Sequence, residues 1–197
     1  MSIYTLNSTQ KLPISLAKAW DFFSSPMNLK IITPDYMDFR VTTPDLAPKI
    51  YPGMIITYTV KPVMGIPLEW VTEITYAQEG VYFVDEQRFG PYALWHHKHF
   101  FKEIKNGVEM TDIVHYKMPF GWLGQLAHWL FVKRQLQGIF EYRTRKLDEL
   151  FANTRNNWLF TFGLISLCKS LSCQIPKLSD NFSRPFKSFI SRCAQEY

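Results

Sequence analysis

The sequence predicts an α+β fold: an antiparallel sheet of six or seven strands packed against one long C-terminal helix. Three observations lead there. Alternating polar and apolar runs recur between Pro and Gly turns from Ile3 to Lys117. A helical pattern with no proline and one interior glycine then runs from about Gly124 to Ala152. The only earlier helical patterns are two short ones directly after the first strand.

Taken in order, Ile3 to Leu12 alternates and reads as a strand stopped by Pro13. Ser15 is placed to cap a helix in which Leu16, Ala19, Trp20 and Phe23 form one apolar stripe. Ser24-Ser25-Pro26 breaks it, and a second helical piece, Met27 to Ile32, must stop before Thr33-Pro34 because a residue preceding proline avoids the helical region. Strands are expected over Met37–Thr42, over Met54–Val60 after the Pro52-Gly53 turn, and over Leu68–Tyr76. In the last of these, Leu68, Trp70, Thr72, Ile74 and Tyr76 should share the dry face, with Glu69 and Glu73 in water. In the final helix, Trp129, Val132, Leu136, Ile139, Phe140, Leu147, Leu150 and Phe151 lie in one arc that should cover the sheet.

The stretch from Phe83 to Tyr116 carries the candidate chemistry. With a period of two, Phe83, Asp85, Gln87 and Phe89 share a face, as do Trp95, His97, His99 and Phe101 on the next strand. After the Asn106-Gly107 turn, Met110, Asp112, Val114 and Tyr116 do the same. Lysines and Glu86 mark the opposite, wet face. The dry face therefore carries two aspartates, two histidines and a glutamine among aromatics, which is unfavourable unless they pair with one another, with water or with a ligand. Arg143 falls inside the helix's apolar arc and must either reach outward along its stem or meet Asp85 or Asp112.

Composition narrows the function classes. The chain of 197 residues suits one domain plus an extension. Up to Asn153 there are 16 Lys and Arg against 15 Asp and Glu, and from Thr154 onward 6 against 2, so the basicity belongs to the tail. A near-neutral body lacks the clustered basic face that nucleic acid requires. Met1–Gln10 has neither a basic start nor an apolar run, which leads us to expect a cytoplasmic protein. All three cysteines lie in the tail without zinc-type spacing. No Gly-x-Ser-x-Gly or phosphate-binding glycine loop is present.

The element order, with Asn28-Leu29, Thr33-Pro34, Trp70-x-Thr72-x-Ile74, Phe83-x-Asp85-x-Gln87, Gly90-Pro91, Trp95-x-His97-x-His99-x-Phe101, Thr111-Asp112, Tyr116-x-x-Pro119 and Gly121 to Gly124, resembles the helix-grip fold of the SRPBCC, START and Bet v 1-like superfamily, in its bacterial ligand-binding, polyketide cyclase-like branch. The resemblance covers about Ile3 to Ala152. It implies a curved sheet gripping a long helix around a cavity for a hydrophobic small molecule such as a lipid, polyketide or isoprenoid-like compound.

The expected domains are thus 1–153 and a basic, Cys-containing extension, 154–197. Ligand-binding candidates are Trp70, Phe83, Asp85, Gln87, Trp95, His97, His99, Phe101, Asp112, Tyr116, Ile139, Phe140 and Arg143. The polar cluster reads as an internal hydrogen-bond network, as the end of a ligand cavity, or as a metal site made by His-x-His and a carboxylate. No metal or cofactor is expected. A non-catalytic binder leads; a cyclase- or aromatase-like enzyme would use His97 or His99 as base with Asp112 orienting the ring. A third reading is a membrane-associated lipid carrier that uses the basic tail; the tail reads alternatively as helices docked on the domain or on a second copy of it. In that tail Trp158–Cys168 is apolar nearly all round, and Phe182, Phe186, Phe189, Ile190 and Cys193 form the apolar side of a basic amphipathic helix.

Overall fold

The computed structural model describes residues 2–62 and 65–172, with side chains as far as Ala152. Strands β1 (Tyr4–Leu12), β2 (Arg40–Val41), β3 (Ile55–Val60), β4 (Leu68–Gln78), β5 (Tyr82–Phe89), β6 (Leu94–Ile104) and β7 (Gly107–Lys117) form one antiparallel sheet in the order β1-β7-β6-β5-β4-β3-β2. Consecutive strands pair except that β1 closes against β7, so the N-terminal strand lies beside the last one. Helix α1 (Leu16–Phe23) follows β1, with the Ser15 side chain accepting from the Lys18 N–H at 3.2 Å. The second short helical piece is a tight 3₁₀ turn, Pro26–Lys30, followed by another at Asp35–Met37.

The final helix begins earlier than the pattern suggested. Helix α2 (Gly121–Ala127) runs through a π-helical turn, His128–Val132, into α3 (Lys133–Ser172), with right-handed helical dihedrals at both joins. Gly124 is required near its start, because a Cβ there would lie 1.9 Å from the Pro119 carbonyl oxygen. Contacts group Met1–Asn156 into one unit, which holds the whole sheet, the short helices and the first part of α3. The expectations for Trp158–Cys168 and for Phe182–Cys193 lie outside the described side chains. No helix among the described residues is long and apolar enough to cross a membrane.

Three local departures from strict alternation have physical causes. Register shifts between Val71 and Thr72 and between Ile74 and Tyr76 bend β4 over β5. As a result Trp70, Thr72 and Ile74 are buried but Tyr76, expected beside them, is exposed. Phe89, expected on the dry face, is exposed at the end of β5. Only Arg40–Val41 of the expected Met37–Thr42 strand pairs, because Asp38 takes a left-handed conformation with φ 43°.

The core divides along the sheet. Leu12, Phe23, Phe83, Phe101, Leu147 and Phe151 fill the space under α1 and the middle of α3. Met37, Tyr58, Trp70 and Ile74 pack over the β3–β4 half, and Tyr116, Val132, Leu136 and Phe140 seal the start of α3 against β7. Trp129, expected in the buried arc, faces solvent instead. A π turn holds one more residue than an α turn, so it rotates the following phase by roughly a third of a turn. It brings His128 and Val132 inward and leaves Trp129 outside.

Candidate functional site

The cluster is assembled by sheet register. His97 and His99 project from one face of β6; His97 lies opposite Asp85 on β5, and His99 lies opposite Asp112 on β7. The side chains then cross-connect. Asp85 Oδ2 is 2.7 Å from His99 Nε2 and 3.4 Å from His97 Nδ1. Asp112 Oδ1 is 2.7 Å from His99 Nδ1 and 3.2 Å from His97 Nε2. The His99 Nδ1 approach is close but poorly aligned, so that nitrogen has no well-formed acceptor. Across from the sheet, Arg143 on α3 brings its guanidinium to 3.6 Å from Asp112 and lies over the rings of Phe23 and Phe140 at 5.6 and 5.9 Å. Of the two fates open to Arg143, the structure therefore shows pairing.

Both nitrogens of each imidazole face a carboxylate. An ionised carboxylate only accepts, and a neutral imidazole donates once, so a ring of two neutral histidines and two aspartates would press lone pairs together. One proton on one histidine relieves this. Burial alone would lower His99, but Asp112 and Asp85 outweigh it and raise its pKa above 6.5. Burial, and then the charge on His99, push His97 the other way. Burial opposes ionisation of Asp112, but Arg143 and the two imidazoles hold it well below the ordinary carboxylate range. Asp85 is likewise lowered despite burial, by His97, His99 and Arg143. The protonation pattern these directions favour is Asp85⁻, Asp112⁻, His99⁺, Arg143⁺ and neutral His97, which sums to zero. Such a balance is what makes burial of five polar side chains tolerable.

Asp85, His97 and His99 can also present three ligand atoms within 4.8 Å of one another. Against that use, the 2.7 Å separation of Asp85 Oδ2 and His99 Nε2 is a hydrogen-bond distance. Two ligands on a tetrahedral zinc with bonds of about 2.0–2.1 Å stand roughly 3.3 Å apart. A divalent ion would also add to the charge of the nearby guanidinium. The ring is better completed by a proton than by a metal.

The cluster opens onto a cavity of about 500 Å³ between the sheet and the helix. Its walls include nine residues of the expected set: Trp70, Phe83, Trp95, Ile139 and Phe140, and the polar Asp85, His97, His99 and Arg143. Trp95 meets Trp70 edge to face at 5.3 Å, and Phe83 stacks on His99 at 4.1 Å. Trp70 and Arg143 each retain a buried N–H, at Nε1 and Nε respectively, with no acceptor among the described residues. Tyr58 and Thr72, which the sequence pattern did not single out, form a buried hydroxyl pair at 2.8 Å in the same wall. Burial, only partly offset by that bond, keeps the Tyr58 phenol protonated.

Four candidates lie off the cavity wall. Asp112 sits behind the two imidazoles. Phe101 belongs to the core beneath α1, tilted on Phe23 at 5.4 Å. Tyr116 instead supports the π turn, its hydroxyl 2.8 Å from His128 Nε2, while His128 stacks on Tyr4 at 3.6 Å. Gln87, expected in the cluster, belongs to the adjacent turn. Its amide nitrogen donates to the Tyr92 carbonyl at 2.6 Å, and its amide oxygen accepts from the Tyr92 N–H at 3.2 Å. This bond across Gly90-Pro91 left no side-chain signal in the sequence, because both of its partners are backbone groups of Tyr92. His128 gave none, since its burial depends on the π turn.

No family model matches this sequence, and no curated protein matches it. Solved structures do. Protein Ms6760 from Mycobacterium smegmatis is 18% identical with a TM-score of 0.56, over 78% of this chain and 98% of its own. Protein CV1439 from Chromobacterium violaceum is 10% identical with a TM-score of 0.58, over 75% and 96%. Ara h 8.0201, a Bet v 1 homologue, is 15% identical with a TM-score of 0.50, over 74% and 98%. At such identities the likeness is one of fold, and the fold is the α+β helix grip of SRPBCC and Bet v 1-like proteins.

Proposed function

We propose that this helix-grip chain binds an apolar small molecule in the cavity between sheet and helix, with an oxygen-bearing head directed at the His97, His99 and Arg143 end. One observation carries the reading: a cavity of about 500 Å³ walled mostly by aromatic and aliphatic side chains has Asp85, His97, His99 and Arg143 together in its wall. Apolar pockets with few convergent polar groups select a ligand by body and orient it by head. The spare N–H groups of Trp70 and Arg143 favour a head that accepts hydrogen bonds, such as a carbonyl, carboxylate or hydroxyl. A lipid, polyketide or isoprenoid-like molecule has that form. Native mass spectrometry of the full chain purified from cells tests the reading. A retained small molecule, lost on replacing Arg143 with Met, is the expected result, and a bare chain that takes up no apolar compound on incubation would overturn it.

A second reading, a cyclase- or aromatase-like enzyme, is favoured by His97. This imidazole lines the cavity and its pKa is lowered; in the tautomer that donates from Nε2 to Asp112, Nδ1, which stands 3.4 Å from Asp85, is the nitrogen that takes a proton from an enolisable carbon. Solvent deuterium exchange into a bound β-polyketone, abolished by His97→Gln, would support catalysis. Exchange no faster than in buffer would leave binding as the function.

A further inference from the structure

The cavity has a mouth, and the mouth is unusually apolar on its outside. Of the residues lining the cavity, the exposed ones are Leu29, Phe120, Leu123 and Phe131. Three of these lie on α2 and the turns flanking it, whose outer face continues the same surface. Trp122, Leu126, Trp129 and Leu130, at i, i+4, i+7 and i+8, are exposed, the two tryptophans at 71% and 75%. A helix normally buries such a stripe; here its buried side is Gly124, His128 and Val132 instead.

Two features show that this arrangement is built in. Phe120 holds a left-handed backbone, φ 61° and ψ 28°, which an aromatic L residue disfavours, and does so with its side chain 83% exposed. The π turn, fixed inside by the His128–Tyr116 hydrogen bond and the His128–Tyr4 stack, sets the phase that turns Trp129 and Leu130 outward. The charge pattern is one-sided as well. From Met118 to Phe140 there is no Asp or Glu, and the stripe is followed at once by exposed Lys133 and Arg134, neither in a salt bridge among the described residues.

We propose that the face formed by Phe120, Trp122, Leu126, Trp129 and Leu130 docks on an anionic lipid bilayer, with Lys133 and Arg134 at the headgroups and the cavity mouth against the acyl layer. Tryptophan and phenylalanine beside cations, without anions, match the chemistry of that interface. A bilayer is also the occupant that leaves the mouth useful. An apolar ligand can then enter along Leu29, Leu123 and Phe131 without crossing water, whereas a second copy or a docked segment of this chain would cover the entrance. The inference rests on the cavity being a binding site and names where its ligand comes from: the bilayer itself.

The test is vesicle flotation of the full chain with phosphatidylcholine vesicles containing phosphatidylglycerol, at low and high salt, alongside Trp122→Ser/Trp129→Glu and Lys133→Glu/Arg134→Glu. Wild type should float with anionic vesicles. The tryptophan variant should lose more than about tenfold in partitioning, and the charge-reversed variant should lose the salt-sensitive part. Both should keep the wild-type melting temperature and, without vesicles, wild-type affinity for a soluble apolar fluorophore, which separates failure of docking from failure of the cavity. Vesicle binding that survives the tryptophan substitutions would overturn the proposal in favour of another membrane-binding segment such as residues 157–197. Absence of flotation overturns it too, as does a dimer that the tryptophan variant dissolves, which would make the face a contact between copies.

Discussion

Replacing Asp112 with Ala removes the carboxylate on which the whole ring converges. Asp112 Oδ1 stands 3.2 Å from His97 Nε2, 2.7 Å from His99 Nδ1 and 3.6 Å from the Arg143 guanidinium. Removing one partner of a buried charge set costs about 3–5 kcal/mol, because the remaining charges stay desolvated and unpaired. Here the lower end applies. Asp85 still faces His99 at 2.7 Å, and His99 can release its proton, so that Arg143 keeps Asp85 as a more remote counter-charge and loses only its nearer one. A loss of about 3 kcal/mol corresponds to roughly 6–12 °C in Tm for a chain of this size. Urea denaturation at pH 7 measures it, with Arg143→Met and the double variant completing a cycle. A coupling above about 1 kcal/mol between Asp112 and Arg143 is expected. A loss below about 0.5 kcal/mol would refute the reading of the ring as a charge-balanced unit.

The pH dependence of stability has its origin in the same ring. His99, raised in the folded state, contributes stability that is complete below its unfolded pKa near 6.5 and fades as pH rises through the folded value. His97, lowered, contributes above 6.5 and loses that contribution as pH falls. Asp85 and Asp112, also lowered, contribute above about 4 and lose it in acid, so melting should be highest between weak acid and weak base and fall on both sides. A flat profile from pH 5 to 9 would contradict the assignments. Gly124→Ala should destabilise by about 1–3 kcal/mol through the clash with the Pro119 carbonyl, and a neutral effect on melting would mean that α2 starts differently. Elemental analysis of purified protein should show no stoichiometric zinc or iron; a one-to-one metal lost in His97→Ala or His99→Ala would show the ring to be a metal site.

Much of the fold was legible because alternation is a strong signal when one sheet face is dry. Asp85, His97, His99 and Asp112 were placed on that face by a period of two, and register then brought them within bonding distance. Arg143 was legible as an anomaly, a charge in an apolar arc. What the sequence hid were places where one residue is added to a period. The bulge between Ile74 and Tyr76 turned Tyr76 outward, and the π turn at His128–Val132 did the same to Trp129. Neither insertion has a composition of its own, since each is decided by what packs beneath it. Gln87 was misassigned because its turn partner is a backbone group, which has no letter in the sequence.

Whether the space between sheet and helix is a binding cavity is tested most directly by titrating a soluble apolar fluorophore, free of vesicles, into the wild type and into Ile139→Trp, in which an indole fills part of the roughly 500 Å³. One-to-one binding by the wild type is expected, with a loss of more than about tenfold in the filled variant at an unchanged Tm. Equal affinity in both proteins, or no binding in either, would show that this space is not where an apolar ligand sits.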